Sequence, residues 1–153
     1  ILAADTAVVD GDSILGKEVD AADARRILQR LRGRTHQVFT GLAALRLADG
    51  RLLTDLCQTS VRMRSYSDPE LEEYLASGDA FDKAGAYAIQ HGGFHPVAEI
   101  DGCFTNVMGL PLCRVACLLR ALGEAAGNDL PHPCLHSQAE VCSFQPGDFE
   151  CAF

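Results

Sequence analysis

A chain of 153 residues suffices for one domain with a real core or two small lobes, and 48% hydrophobic with 22% charged residues is an ordinary globular composition. Thirteen Lys and Arg against 21 Asp and Glu give a net charge of −8, which excludes a bulk nucleic-acid binder but leaves room for a small anion balanced by a few cations and a divalent metal. No apolar run approaches bilayer length, nothing resembles a signal peptide, and seven cysteines without a CxxC pair exclude a complete disulfide framework and point to a reducing cytoplasm.

The chain begins in mid-strand. The run Ile1-Leu2-Ala3-Ala4 predicts a buried strand that delivers Asp5 and Thr6 at its carboxyl end, where α/β proteins place chemistry. Asp10-Gly11-Asp12 is a turn signal for a hairpin. Asp20 then caps a helix whose stripe Ala24, Ile27, Leu28 and Leu31 leaves Arg25, Arg26, Gln29, Arg30 and Arg32 outward, with Gly33 past its end. Two long β segments over 35–47 and 52–64 hinge at Asp49-Gly50, and in the second Cys57, Thr59, Val61 and Met63 alternate with polar residues.

A second helix opens at Ser67-Asp68-Pro69-Glu70, where Ser67 and Glu70 fit a capping box, buries Leu71, Tyr74 and Leu75, and stops at Gly78. Residues 82–93 are small and irregular. Residues 97–100 and Cys103-Phe104 read as short strands about an Asp101-Gly102 turn. A third helix opens at Pro111 and turns Leu112, Val115, Ala116, Leu119 and Leu122 inward, with Cys113 and Cys117 as small core residues. The order β–β–α–β–β–α–β–β–α predicts α/β or α+β architecture with a mixed sheet, and residues 126–153 form an irregular tail.

Four polar spots fall at the ends of these elements. Asp5 can bind a divalent metal or act as general base to water, and can equally cap a turn. Lys17 follows Gly16 and precedes a helix, where an ammonium and helix amides can face one phosphate; an ordinary exposed lysine is the commoner case. Asp82-Lys83 precedes small residues that let backbone approach a ligand, or is simply an N-capping Asp beside a solvated Lys. Gln90 offers the donor and acceptor that a nucleobase edge requires, though buried glutamines more often satisfy backbone. His36 is expected to be structural or at a rim, and His91 and His95 carry no assigned role. In the tail, His132, Cys134, His136, Cys142 and Cys151 are residue types that can bind zinc, but their spacing fits no standard knuckle and the reading without metal is preferred.

Five collinear blocks remain: Leu2-Ala3-Ala4-Asp5-Thr6; Leu15-Gly16-Lys17; Gly33-Arg34-Thr35-His36 with Val38 and Thr40-Gly41; Asp82-Lys83-Ala84-Gly85-Ala86-Tyr87-Ala88-Ile89-Gln90; and Asn106-Val107-Met108-Gly109-Leu110-Pro111-Leu112. Over about residues 1–123 this succession resembles the Maf family of nucleoside triphosphate pyrophosphatases. The resemblance implies a domain over residues 1–125 with a mixed sheet, flanking helices and two lobes around a central cleft, similar to the inosine-triphosphate pyrophosphatases. It implies cleavage between the α and β phosphates with Mg²⁺ or Mn²⁺, releasing a monophosphate and pyrophosphate, in a cytoplasmic house-cleaning role and with a possible homodimer. Carried onto this chain, Asp5 activates the attacking water and holds the metal, Lys17 and Lys83 hold phosphates, and Thr6 and Gln90 govern substrate choice.

The segment 85–90 looks like the branch acting on dTTP and UTP, with two departures: Ala88 and His91 stand where the usual pattern has Gly. Family members also begin with a strand and a Ser-Pro-Arg-Arg-like loop that nothing here supplies, so a molecule starting at Ile1 is expected to be weakly stable and poorly active, with an exposed sheet edge. The alternatives are a pyrophosphatase for a methylated purine nucleotide, and a non-catalytic protein acting through partners in cell division.

Overall fold

The computed structural model describes residues 1–16 and 20–124. The elements follow in the order β1 (Leu2–Asp10), β2 (Ser13–Leu15), α1 (Ala21–Leu31), β3 (Thr35–Arg46), β4 (Arg51–Met63), α2 (Asp68–Ser77), β5 (Val97–Asp101), α3 (Phe104–Val107) and α4 (Leu112–Ala121). The strands form one sheet, ordered β2-β1-β3-β4-β5, with helices flanking it, so the expected mixed α/β class holds. Lys17 and the tail with its Cys and His residues lie outside the described residues. No helix among the described residues is long and apolar enough to cross a membrane.

Strand register follows from local chemistry. Gly11 takes φ +60° in a two-residue turn, which pairs Val8 with Leu15, Val9 with Ile14 and Asp10 with Ser13 across the β1–β2 hairpin. Between β1 and β3, Ile1 and Leu45 exchange both backbone hydrogen bonds, at 2.7 and 2.8 Å, as a hydrogen-bonded antiparallel pair does. Counting along from that pair sets Thr6 opposite Thr40 and Asp10 opposite His36. On β4, Cys57, Thr59, Val61 and Met63 are buried and their neighbours are not, which is the alternation the sequence predicts.

The described residues divide into two compact units. The first comprises residues 1–6, 39–59 and the described residues from 101 onward. Its core sets Leu42 and Ala44 of β3 against Val115, Leu118 and Leu122, with Leu53 and Leu119 packed on them. The second comprises residues 7–38 and 60–100, where α1 packs on α2 and buries Ala24, Ile27, Leu28 and Leu31. Asp20 accepts the Asp23 N–H as the helix cap, and the Ser67–Glu70 capping box forms as expected. The Tyr66 hydroxyl donates to the Leu28 carbonyl at 2.6 Å, and its ring packs on Phe94 at 4.7 Å.

Three local expectations are corrected. The opening strand does not end at Thr6: it continues through Ala7-Val8-Val9 to Asp10, residues 1–4 are exposed rather than buried, and Asp5 stands in mid-strand. Cys103-Phe104 is not a strand. The Thr59 hydroxyl accepts the Cys103 N–H and donates to its carbonyl, which takes both groups out of any ladder, and residues 104–107 coil into α3. On α4, Val115 and Leu122 are buried and Leu119 packs on the core as expected, but Leu118 is buried as well and Leu112 is exposed. Cys113 and Cys117 are buried core residues as expected.

Thr59 is the polar hub of the first unit. Beyond its two bonds to Cys103, its buried oxygen accepts from Asn106 Nδ2 at 2.9 Å. Thr59→Val keeps the shape and strips two buried donors of this acceptor, so urea unfolding should show a loss of about 2–4 kcal/mol. A change below about 0.5 kcal/mol, the scale of a neutral surface substitution, would show that the hub is dispensable.

Candidate functional site

Asp5 and Thr6 belong to the first unit, and strand alternation sends their side chains to opposite faces of β1. Asp5 is exposed. One of its carboxylate oxygens accepts the Thr6 N–H at 3.1 Å, and among the described residues it makes no ion pair. Three other strand carboxylates are tied down: Asp10 by Arg30 and Arg34, Asp55 by Arg114, and Glu99 by Arg62. Asp5 therefore presents a carboxylate that a rigid strand fixes and that no described cation neutralises.

Thr6 faces the covered side. Its hydroxyl lies 2.8 Å from that of Thr40 and 3.4 Å from the Gly109 carbonyl, and the Thr40 hydroxyl lies 3.4 Å from the Asn106 carbonyl. The fold thus brings the Asn106–Gly109 motif, far away in sequence, onto Thr6. Gly109 adopts φ +105°, a conformation glycine supplies without strain.

Lys83 and Gln90 belong to the second unit, on one loop spanning 82–91. Lys83 is partly buried and its ammonium pairs with the Asp82 carboxylate at 2.6 Å, so it is not the freely solvated lysine of the simplest sequence interpretation. After it the backbone turns left-handed twice, at Gly85 (φ +73°) and Ala86 (φ +59°). Gly85 is required twice over, because a Cβ there would lie 3.0 Å from Val8 Cγ1. Its N–H donates to the Gly16 carbonyl at 3.2 Å, which brings the Lys83 loop beside the residue preceding Lys17. Ala86 is a non-glycine residue in a strained region, the kind of cost a fold retains where the loop position is specified by its surroundings.

Two buried bonds specify it. The Tyr87 hydroxyl meets His36 Nε2 at 2.9 Å, and the Ala88 N–H donates to the Tyr74 hydroxyl at 2.9 Å. Gln90 is exposed, and its amide makes no hydrogen bond among the described residues, so both donor and acceptor are available. His36 is structural, as expected. Its burial pushes its pKa down to about 4, with Asp10 opposing the shift, so it is neutral at physiological pH. Tyr74 and Thr59 carry no sequence signal as site supports, because a buried hydroxyl on a periodic stripe looks like any core residue; Thr40, Tyr87 and Asn106 are visible only as members of motifs.

The groups available are an exposed carboxylate in the first unit and, in the second, an ammonium and an unengaged carboxamide. Among the described residues no three His, Cys, Asp or Glu side chains cluster as a ready-made metal cage. Comparison with known proteins gives one consistent answer. The family described as Maf-like protein matches residues 1–122. The dTTP/UTP pyrophosphatase of Dictyoglomus thermophilum is 46% identical over 123 residues, covering 80% of this chain and 64% of that protein. Those of Citrifermentans bemidjiense and Geobacter sulfurreducens are 46% and 48% identical, covering 83% and 78% of this chain and 65% and 63% of theirs. The chain spans just under two thirds of the length of these relatives.

Because His36 is neutral in the fold and titrates near 6.5 when unfolded, the unfolded chain binds the extra proton between about pH 6.5 and 4. Stability should be fully present above that window and fall through it on acidification. His36→Gln retains a polar side chain for Tyr87 but cannot titrate, so its melting temperature should vary less between pH 6.5 and 4.5. Identical pH slopes in the two proteins would contradict the assignment.

Proposed function

The chain belongs to the Maf-like protein family, and on that footing we propose that it hydrolyses nucleoside triphosphates, dTTP and UTP foremost, to the monophosphate and pyrophosphate. The observation that carries this is the Asp5 carboxylate: strand-borne, exposed and without an ion pair among the described residues. A general base needs a fixed position and an open lone pair, and Asp5 has both. In the proposed step the oxygen of water attacks the α-phosphorus, the bond to the bridging oxygen breaks, pyrophosphate leaves, and Asp5 takes the water's proton.

A divalent cation such as Mg²⁺ or Mn²⁺ suits this donor set, because such ions commonly bind one or two carboxylates together with substrate phosphates, and the second Asp5 oxygen is open toward the described residues. Neutralisation of the leaving pyrophosphate is the chemistry it supplies when bound. The chain's cation usage supports the same assignment. It holds only two lysines, Lys17 and Lys83, and both are the proposed phosphate ligands. Its arginines are largely engaged in holding carboxylates, as in the pairs of Arg25 with Glu72, Arg30 with Asp10, Arg32 with Asp68 and Arg64 with Glu70. A triphosphate meeting Lys83 displaces only its exposed neighbour Asp82, an inexpensive exchange. Thr6 and Gln90 are the proposed contacts for substrate choice, and the cytoplasm, where these nucleotides are used, is the proposed compartment.

The test is pyrophosphate release from a panel of nucleoside triphosphates, including a 7-methylated purine, with Mg²⁺ present. Release from dTTP and UTP is expected, and Asp5→Asn should reduce it by about a hundredfold or more, the scale of general-base catalysis. Equal release from the variant would remove Asp5 from the mechanism. Preference for the methylated purine would overturn the substrate assignment while leaving the reaction.

A further inference from the structure

We infer that Tyr74, which lies outside every motif on which the family resemblance rests, is the positioning residue for Gln90 and thereby sets how strictly the base is discriminated. The inference rests on the nucleotide-hydrolysing function proposed above, with Gln90 as the base contact. Residues 88–91 form a tight turn, closed by the His91 N–H donating to the Ala88 carbonyl at 3.2 Å, with Gln90 third of the four. Both ends of that turn rest on one side chain. At the first end, the Ala88 N–H donates to the Tyr74 hydroxyl at 2.9 Å. At the last, the His91 ring meets the Tyr74 ring edge-on, with centroids 4.9 Å apart.

Tyr74 is itself immobilised. It is fully buried on α2, and its ring stacks on Phe94 at 4.4 Å with an interplanar angle of 8°. The stack is extended by the His91 side chain, whose Nδ1 accepts the Phe94 N–H at 3.0 Å and the Gly93 N–H at 3.3 Å. Burial pushes the Tyr74 pKa up to about 12, so its hydroxyl remains neutral under all working conditions.

Gln90, by contrast, has no hydrogen bond of its own among the described residues. Its amide direction is inherited from the backbone that carries it. A carboxamide reads a base edge only if donor and acceptor arrive in register, so discrimination depends on how tightly that backbone is held. Ring and hydroxyl divide the work: the ring stack holds α2 to the 91–94 segment, and the hydroxyl holds the turn. Phenylalanine at this position keeps the first and deletes the second.

The experiment measures kcat/KM for dTTP and dCTP, and the melting temperature, in the full chain and in Tyr74→Phe, Gln90→Ala and the double variant. Tyr74→Phe is expected to lower the dTTP-to-dCTP ratio by roughly three- to tenfold, the equivalent of one hydrogen bond. In the Gln90→Ala background the same change should leave the ratio where it is, because Tyr74 acts through Gln90. A purely structural role would lower turnover of both nucleotides equally, with or without Gln90, and would overturn the inference. An unchanged ratio in Tyr74→Phe overturns it too, while leaving the proposed hydrolysis standing. Absence of turnover in the unsubstituted chain defeats the proposed function itself, and this inference with it.

Discussion

The pairing of Ile1 with Leu45 fixes the register of β1 against β3, and most of the functional geometry follows from it. Side chains alternate along a strand, so a slip of one residue exchanges the two faces. In the observed register Thr6 falls opposite Thr40, where their hydroxyls meet at 2.8 Å, and Asp5 is turned to the open face. A one-residue slip would bury a carboxylate among Thr40, Asn106 and Gly109 and expose the threonine, at a cost set by burying an unpaired charge. The same register places Asp10 opposite His36, in reach of Arg30. Two carboxylates on one strand thus receive opposite treatment: Asp10 is buried and held by guanidinium, and Asp5 is left open.

The fold was legible where a single period governs. The α1 stripe, the capping box of α2, the hairpin turn at Gly11 and the alternation along β4 each depend on neighbours a few residues away, and each appears as the sequence indicates. What could not be read depends on contacts across the chain. Residues 103–107 form a helical turn because Thr59, 44 residues away, takes the backbone groups of Cys103. On α4, Leu118 is buried against Leu42 and Ala44 while Leu112 is left exposed, a choice set by what β3 offers rather than by the helix period. The burial expected for residues 1–4 failed for a related reason: apolar composition marks a strand but does not say whether another element covers it.

The candidate site divides along the same line. Asp5, Lys17, Lys83 and Gln90 stand out in sequence because polar residues at special positions are conspicuous. The groups that hold the Lys83–Gln90 loop are less so: Tyr74 reads as an ordinary buried residue, and Tyr87 and His36 are motif members whose partnership only the fold reveals. Their arrangement accounts for the two departures from the usual family pattern, Ala88 and His91, which flank Gln90 on either side. Ala88 contributes the N–H that Tyr74 accepts, a bond any residue but proline can make, and its methyl group is accommodated in a buried position. His91 does what glycine cannot. Its ring packs edge-on against Tyr74 and its Nδ1 caps two backbone N–H groups of the following segment. Glycine at that position would lack both contacts and would add backbone freedom next to Gln90. In this chain the added bulk is therefore absorbed into the support of the turn, and the residue that would read the base sits on a stiffer platform than the glycine pattern provides.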